Sequence, residues 1–300
     1  MRETEIKLFA SDMDGTLLQK DFTISEENVN AIKDLQKRGI YFVVATGRIY
    51  YDAKMICKQH GLSPYIISNN GTCLYSTSGE LLYSRPIQRD MLEKLTQYLD
   101  QSGICYGIGT SRHYITSTQW ENVLDEEIEH LRKKGIEIPL QKVKFAKEEL
   151  ALQNGIMLVN NMSEFISIEE MAYSISIVTF DQDKIERLKK KMEEYETLMH
   201  VTSGSHNVEV TEKRGNKGIA LGHLCSLLHL DFEQVAAIGD SLNDLYMIEK
   251  AGMKIAVENA MEEIKEVCDF VTKSHTCNGV AHAINNIINL DYSRRSRESG

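Results

Sequence analysis

The sequence of 300 residues lacks three features that would each assign it to a class of protein. It has no apolar run long enough to span a bilayer, and its charged first residues, 1–5, lead directly into a short apolar stretch that does not have the pattern of a signal peptide. Its six cysteines are scattered without a Cys-x-x-Cys pair, so they indicate neither a disulfide framework nor a zinc site. We therefore expect a soluble, cytoplasmic protein with no membrane partner, in which most cysteines are buried thiols.

Positive charge is also scarce relative to negative charge. Lys and Arg number 34 against 44 Asp and Glu, which gives a formal net charge of -10. A field of this sign repels nucleic acid, so we expect no nucleic-acid partner, and an anionic substrate has to be attracted by a local cluster of donors or by a metal ion. With 42% hydrophobic residues the chain can bury a large core, and its length allows two domains.

Apolar runs and amphipathic stretches alternate at both ends of the chain. Near the N-terminus the order is strand, helix, strand, helix, strand, and the first helix has Ser25 as its N-cap and Gly39 as its stop. The same alternation returns after residue 215. Strands that are apolar throughout, such as 41–45, are typical of a parallel sheet covered on both faces. The pattern predicts an α/β fold with a doubly wound, mostly parallel, Rossmann-like core sheet.

The middle of the chain has a different pattern. Strands that can pair locally, such as those within 104–117, accompany helices around 121–134 and 181–195, which predicts an inserted α+β domain. The last residues are polar and basic with nothing to bury. We therefore expect a first core segment, an inserted domain, a second core segment and a disordered tail, with the bounds 1–84, 85–204, 205–292 and 293–300.

Two aspartates follow the first apolar run, in "SDMDGTLL" at residues 11–18. Taken alone, Asp12 and Asp14 are ordinary residues for the end of a strand. Other predicted strands, however, also end in polar groups: "TGR" at 46–48, "NNG" at 69–71 and "GDSLND" at 239–244. Because ligands of a doubly wound sheet bind outside the carboxyl ends of its strands, we expect these groups to converge on one edge.

This collection contains no nucleotide-binding loop, since neither a complete Gly-x-Gly-x-x-Gly in a βαβ unit nor a Gly-x-x-x-x-Gly-Lys-Ser/Thr is present. Carboxylates gathered at one place can instead hold a hard cation that prefers oxygen, and Mg2+ is the best chemical match. Asp12 and Asp240 come from different strands, as an ion that bridges chain segments requires. Lys217, near the start of a predicted helix, would complete an anion pocket.

Four ordered motifs resemble those of the haloacid dehalogenase superfamily. They are Asp-x-Asp-Gly-Thr at 12–16, Thr-Gly-Arg at 46–48, Lys-Gly at 217–218 and Gly-Asp-Ser-x-Asn-Asp at 239–244. The long insertion between the second and third motifs resembles the Cof-type phosphatases of that superfamily, which carry a type IIB α/β cap. The resemblance covers about residues 6–84 and 205–290 of the core, whereas the cap is matched by its position and size.

The resemblance implies a Mg2+-dependent phosphatase that hydrolyses a small phosphorylated metabolite, such as a sugar phosphate, a nucleotide or a cofactor-type phosphomonoester, through an aspartyl phosphate. Asp12 would be the nucleophile and Asp14 the general acid and base. The side chains of Asp12 and Asp240 and the backbone carbonyl of Asp14 would bind the metal, and Asp244 would orient its ligands. The remaining groups would donate hydrogen bonds to the phosphate: the amides of Met13 and Gly47 and the side chains of Thr46, Lys217 and Asn243.

Several of these residues have an ordinary structural role as an alternative. Thr46 could cap the next helix, Lys217 competes with two neighbouring basic residues, and Asn69 and Asn70 can serve as turn residues as readily as substrate contacts. Two other functions also stay open. One is a phosphotransferase or phosphomutase that passes the aspartyl phosphate to another acceptor, and the other is a non-catalytic sensor of a phosphorylated metabolite. The sequence does not indicate the oligomeric state.

Overall fold

A computed structural model describes residues 5–151, 153–162, 170–201 and 206–298. The chain forms two compact units, which we call unit 1 and unit 2. Unit 1 comprises Met1–Gly47, Ala53–Tyr83 and Asn216–Gly300, and unit 2 comprises Arg48–Asp52 and Ser84–Gly215. Within the described ranges, no helix combines the length and apolar character that crossing a bilayer requires.

The described residues form fourteen strands and ten α-helices. The strands are β1 Leu8–Ser11, β2 Tyr41–Ala45, β3 Tyr65–Ser68, β4 Cys73–Tyr75, β5 Leu81–Ser84, β6 Cys105–Gly109, β7 Tyr114–Ser117, β8 Ile156–Val159, β9 Ser174–Val178, β10 Leu198–Val201, β11 Asn207–Glu212, β12 Val235–Gly239, β13 Met253–Ala256 and β14 Phe270–Val271. The helices are α1 Glu26–Lys37, α2 Tyr50–Gln59, α3 Arg89–Gln101, α4 Trp120–Lys133, α5 Leu140–Ala151, α6 Gln182–Met192, α7 Lys217–Leu228, α8 Leu245–Ile248, α9 Glu262–Val267 and α10 Gly279–Glu298.

Unit 1 is built on an eight-stranded sheet in the order β14, β13, β12, β1, β2, β3, β4, β5. The five pairings from β14 to β3 are parallel, and β3 pairs with β4 in the antiparallel sense. β1 is central and wholly buried, with Ala10 in register with Ala237 on one side and Val43 on the other. The predicted α/β core with a mostly parallel sheet is confirmed, and the carboxyl ends of β1, β2, β3, β12 and β13 share one edge.

Helix α1 fastens the segment after β1 to the rest of unit 1. Its N-cap Ser25 accepts a hydrogen bond from the amide of Asn28 at 3.2 Å, as the sequence predicts. The buried Asn28 side chain donates to the carbonyl of Leu17 at 3.1 Å and accepts from the amide of Ala281 at 2.9 Å. The chain that follows the first motif is therefore tied to both α1 and α10.

Unit 2 contains a six-stranded sheet in the order β10, β11, β9, β6, β7, β8. Its pairings are antiparallel except for β7 with β8. One apolar cluster gathers strand residues with side chains of α3 and α6, such as Leu95 and Leu188. A second contains the single tryptophan, Trp120, with Leu124 of α4 and Leu150 of α5.

The structure differs from the predicted bounds at two places. The predicted break at 204 and 205 lies outside the described residues, but β11 follows it and pairs with β9 and β10, so unit 2 extends to Gly215. β11 belongs there because Val208 and Val210 are buried in the unit 2 core. The predicted tail from residue 293 is helical as far as Glu298, because α10 meets no Gly or Pro after Gly279 that would stop it. Residues 299–300 lie outside the described part.

Candidate active site

The chain turns sharply immediately after β1. The amides of Thr16, Leu17 and Leu18 all donate to the carbonyl of Met13, at 3.3, 2.9 and 2.9 Å. This turn requires Gly15, whose φ is +76°, and a Cβ at Gly15 would lie only 2.6 Å from Oδ2 of Asp240. The Asp-x-Asp-Gly-Thr sequence therefore brings the backbone of the turn directly against a carboxylate that follows β12.

Asp12 is the first residue beyond β1 and is buried. Its amide donates to the carbonyl of Ile238 at 3.0 Å, which continues the ladder between β1 and β12 and fixes the residue at the sheet edge. Its Oδ1 atom accepts a hydrogen bond from Nζ of Lys217 at 2.7 Å. Its Oδ2 atom is buried without a hydrogen-bond partner among the described residues. Such an unsatisfied acceptor is costly unless a ligand contacts it.

Lys217 is the first residue of α7 and is completely buried. Asn216 caps this helix by accepting from the amide of Ile219 at 2.9 Å. The Nζ atom of Lys217 lies 2.7 Å from Asp12 Oδ1 and 2.7 Å from Asp244 Oδ1. Burial favours the neutral amine, but the two carboxylates outweigh it and raise the pKa of Lys217 above its ordinary value. Lys217 is therefore a fixed cation between two acids.

Asp244 belongs to the short 3-10 turn Leu242–Asp244 that follows β12. Its Oδ2 atom accepts from the amides of Asp240 and Ser241, at 3.0 and 3.1 Å. Its Oδ1 atom accepts from Lys217. Both oxygens of this buried carboxylate are therefore occupied, and Asp244 fixes the backbone that carries Asp240.

Asp12, Asp240 and Asp244 form a compact acidic cluster, with one oxygen of each within 4.8 Å of the others. Burial is the main cause that raises the pKa of Asp12 and raises that of Asp240 to about 7, and the charge of Asp244 adds to both. Thr16 Oγ1 also donates to Asp240 Oδ1 at 3.2 Å. Among the described residues, three carboxylates thus face one ammonium, and Oδ2 of Asp12 has no hydrogen-bond donor. This donor set fits a hard divalent cation such as Mg2+.

The amide side chains near the cluster form a chain of hydrogen bonds. Asn243 donates to Asn70 Oδ1 at 3.0 Å and accepts from Ser241 Oγ at 2.8 Å. The amide of Asn70 donates to the carbonyl of Thr46 at 2.9 Å. Asn69 and Asn70 are both buried, and both have a positive φ, 48° and 56°. They therefore serve as turn residues, which is one of the two roles that the sequence allows. Asn70 has in addition a side-chain contact with the motif at 239–244.

The predicted residues at the ends of β1, β2, β3 and β12 therefore lie on one edge of the unit 1 sheet. Asp12, Lys217 and Asp244 are in direct contact, and Asp240 joins them through the Asp244 carboxylate. Asp14 is half-buried in the turn and Gly47 follows Thr46 directly. The structure also shows residues that support this arrangement and that the sequence analysis does not identify. Among them is Asn259, which follows β13 and donates to the carbonyl of Gly15 at 2.8 Å.

The haloacid dehalogenase-like hydrolase family matches residues 9–284 of the chain. The chain belongs to this family. Phosphatase YwpJ of Bacillus subtilis strain 168 is 34% identical over 285 residues, which cover 94% of this chain and 100% of that protein. A second protein of the same organism, 5-amino-6-(5-phospho-D-ribitylamino)uracil phosphatase YwtE, is 31% identical, with 96% and 100% coverage.

The solved structure of a haloacid dehalogenase-like hydrolase from B. subtilis is similar throughout. It superposes with a TM-score of 0.82 at 34% identity and covers 93% of this chain and 99% of that one. The predicted family, fold class and hydrolase class are therefore confirmed, and the names of the relatives support the prediction of a phosphatase.

Proposed function

We propose that the chain is a Mg2+-dependent phosphatase of small phosphorylated metabolites that forms an aspartyl phosphate on Asp12. One observation carries the proposal: the buried carboxylate of Asp12 has one oxygen fixed by Lys217 and the other without a hydrogen bond from any residue that the structure describes. A nucleophile in this state needs no broken contact before it reacts. Burial raises the pKa of Asp12, and the cation beside it acts against that rise and so favours the ionised form, which is the form that attacks phosphorus.

Asp14 is the proposed general acid and base. It is half-buried, two residues beyond the nucleophile, on a turn that Gly15 and the three amides on the Met13 carbonyl hold in place. It would give a proton to the leaving oxygen and then accept one from the water that hydrolyses the aspartyl phosphate. Two carboxylates are needed because each half of the reaction moves a proton while Asp12 forms or loses a covalent bond.

The metal would be held by the side chains of Asp12 and Asp240 and the backbone carbonyl of Asp14. When bound, Mg2+ supplies positive charge that reduces repulsion between the nucleophile and the substrate phosphate. Asp244 suits the supporting role that we assign to it, because Lys217 and two backbone amides already use both of its oxygens.

The phosphate oxygens would be bound by donors that follow three strands and by one donor at the start of α7. These are Lys217, Thr46, Asn243 and the amides of Met13 and Gly47. Phosphoryl transfer requires mainly that the negative charge on the transferring phosphoryl group be stabilised. Hydrogen-bond donors that are already in place around that group provide this stabilisation. Asn69 and Asn70 are proposed as additional substrate contacts, and Asn70 already accepts from Asn243.

A small phosphorylated metabolite is the substrate class that the relatives support, since one of them is named for a phosphoribityl-aminouracil. We also propose that unit 2 is the inserted cap domain of this phosphatase. Exchange of unit 2 residues between this chain and a relative should change the ranking of substrates and leave the requirement for Asp12 intact.

The test is phosphate release from a panel of phosphorylated metabolites, measured with Mg2+, with chelator, and with the variant Asp12→Asn. Release should depend on Mg2+ and be lost in Asp12→Asn, whose circular dichroism should match the wild type. Asp34→Asn is the matched control, because Asp34 is an exposed partner of Lys37 on α1 and its variant should keep full activity. Release that persists in Asp12→Asn would overturn the assignment of the nucleophile.

The same assay separates hydrolysis from transfer. With a sugar acceptor present, a phosphatase releases phosphate at the rate at which substrate disappears, whereas a phosphotransferase or phosphomutase forms a new ester faster than it releases phosphate. A folded, Mg2+-binding protein that turns over no member of the panel would instead favour the sensor.

A further inference from the structure

Asn259 makes an unusual set of contacts for an exposed side chain. Its Nδ2 atom donates to the carbonyl of Gly15 at 2.8 Å. Its Oδ1 atom accepts from the amide of His275 at 2.9 Å and from Ser274 Oγ at 3.2 Å. The backbone donor of His275 fixes which end of the Asn259 amide is the acceptor, so the NH2 group must face Gly15.

The loop that carries Asn259 is itself attached to the end of β12. The amide of Val257 donates to the carbonyl of Gly239 at 3.3 Å, and the amide of Met261 donates to the carbonyl of Asp240 at 2.9 Å. Asn259 lies between these two attachments. It therefore connects the backbone around Asp240 to the turn after β1.

The 274–275 segment holds the far end of the same turn. His275 Nδ1 is 2.8 Å from the carbonyl of Leu18, and Gln19 Nε2 donates to the carbonyl of His275 at 2.8 Å. The backbone from Gly15 to Gln19 is thus held at both ends through a network that has Asn259 as its centre.

The turn is also in direct contact with Asp240 on its other side. Thr16 Oγ1 donates to Asp240 Oδ1 at 3.2 Å, and there is no room for a Cβ between Gly15 and Asp240 Oδ2. A shift of Gly15 by a few tenths of an ångström therefore changes the spacing between the Asp14–Gly15 peptide and the Asp240 carboxylate.

We propose that Asn259 is a positioning residue that sets the spacing between the 14–16 turn and Asp240, and thereby sets the affinity of the acidic cluster for a divalent cation. The inference rests on the proposed function only in taking Mg2+ as the ligand. Asn259 has no role in the chemistry of phosphoryl transfer. Its effect reaches the metal through the Gly15 carbonyl, as outer contacts of metal ligands do in other sites.

The decisive variant is Asn259→Asp, which keeps the shape of the side chain and the acceptor for His275 but removes the donor to Gly15. It also adds a negative charge near the cluster, which by electrostatics alone would tighten Mg2+ binding. Loss of the contact to Gly15 predicts the opposite, a Mg2+ dissociation constant raised about tenfold. Asn259→Ala should weaken binding in the same direction without the added charge.

Mg2+ binding is measured by calorimetry on the full chain, and the melting temperature in chelator checks folding. Glu258→Gln, at the exposed neighbouring residue, is the control and should bind Mg2+ as the wild type does. In the activity assay, the Mg2+ concentration for half-maximal rate should rise by the same factor in both Asn259 variants. The KM for substrate at saturating Mg2+ should stay within about twofold of the wild-type value. A general loss of stability would not change the Mg2+ requirement while leaving the KM for substrate unchanged.

The failures of the two proposals are distinguishable. If both Asn259 variants bind Mg2+ as tightly as the wild type, or if Asn259→Asp binds it more tightly, the positioning role is wrong whatever the activity. If the variants lose affinity but the wild type releases no phosphate from any substrate, the positioning role stands and the proposed function fails. A wild type that binds no Mg2+ overturns both.

Discussion

The Nζ atom of Lys217 lies 2.7 Å from Oδ1 of Asp12, and the side chain of Lys217 has no exposed surface. The two residues are 205 positions apart in the chain, one at the end of the central strand β1 and the other at the start of α7. A buried charge without its partner destabilises the fold. The ionisation of the proposed nucleophile therefore depends on the packing of α7, which positions Lys217.

Replacement of Lys217 by methionine tests that dependence. Lys217→Met keeps the length of the side chain but leaves Asp12 and Asp244 facing each other without a cation. We expect the free energy of unfolding in chelator to fall by about 3 kcal/mol, measured by urea titration with circular dichroism. Lys213→Met, at an exposed position four residues earlier, should change it by less than about 0.5 kcal/mol. Equal stability of the two variants would contradict a paired charge at Lys217.

Gly15 and Gly39 offer a matched pair of glycine substitutions. Their φ values are +76° and +77°, so an alanine at either position is strained by about 1 kcal/mol. Gly39 has open space around it, whereas a Cβ at Gly15 meets Asp240 Oδ2 at 2.6 Å. We expect Gly39→Ala to lose stability and keep its activity.

Gly15→Ala should lose a similar amount of stability and, in addition, at least about tenfold in turnover and in Mg2+ affinity, because the turn must move away from Asp240. Phosphate release and calorimetry on both variants measure the difference. If the two variants keep the same activity, the close contact between the turn and Asp240 is unimportant for catalysis.

The edge at which the polar groups meet could be predicted from the sequence because a parallel sheet has a simple rule. Apolar runs locate the strands, and the residue after each run lies at the carboxyl edge. The rule places the end residues of β1, β2, β3 and β12 together. Asn259 follows β13 as closely as Asn243 follows β12, so the same rule places Asn259 at this edge. The rule does not predict the contact of its side chain with the carbonyl of Gly15.

The pairing of β11 could not be predicted in the same way. Its alternating pattern of Val208 and Val210 fits a strand in either unit, and only pairing with β9 and β10 decides the matter. The pairing with β9 depends on residues about thirty positions away, which local periodicity does not encode. The selection of Lys217 does not have this limit, because two more basic residues lie at 213 and 214 but Lys217 lies at the start of a predicted helix, which is α7 in the structure.

The cysteines provide a test of burial that needs no substrate. Burial raises the pKa of Cys73 and of Cys105 to about 12, while Cys277 is exposed. The raised pKa keeps both buried thiols protonated at pH 8, where the thiolate is on the order of one part in ten thousand. We expect iodoacetamide at pH 8 to label Cys277 first and to leave Cys73 and Cys105 unlabelled in the folded protein, as read by peptide mass spectrometry.

Unfolding in urea before labelling should make all six cysteines react, which shows that the protection comes from the fold. Labelling of Cys73 at the rate of Cys277 would mean that the edge of the unit 1 sheet near β4 opens far more often than its burial indicates.

Unit 2 contains a buried carboxylate of its own, at Glu127 on α4. Its Oε1 atom accepts from the amide of Phe180 at 2.7 Å, and its Oε2 atom accepts from Thr179 Oγ1 and from Lys184 Nζ, both at 2.8 Å. Lys184 also donates to the carbonyl of Gly103 at 2.7 Å. The Glu127 side chain therefore joins α4, the end of β9 and α6, and Lys184 extends the network to the segment before β6.

Glu127→Gln keeps the size of this side chain and removes its charge, so Lys184 loses its ionic partner. The NH2 group of the glutamine also replaces a carboxylate oxygen that accepts hydrogen bonds, so it must face a donor. We expect the free energy of unfolding of unit 2 to fall by about 3 kcal/mol. Trp120, the single tryptophan, lies on the same helix in the buried core of unit 2, so its fluorescence in urea reports unfolding of that unit. Glu129→Gln, which affects only exposed ion pairs with Arg132 and Lys133, should cost less than about 0.5 kcal/mol. If Glu127→Gln unfolds at the same urea concentration as Glu129→Gln, the three hydrogen bonds of Glu127 do not stabilise unit 2.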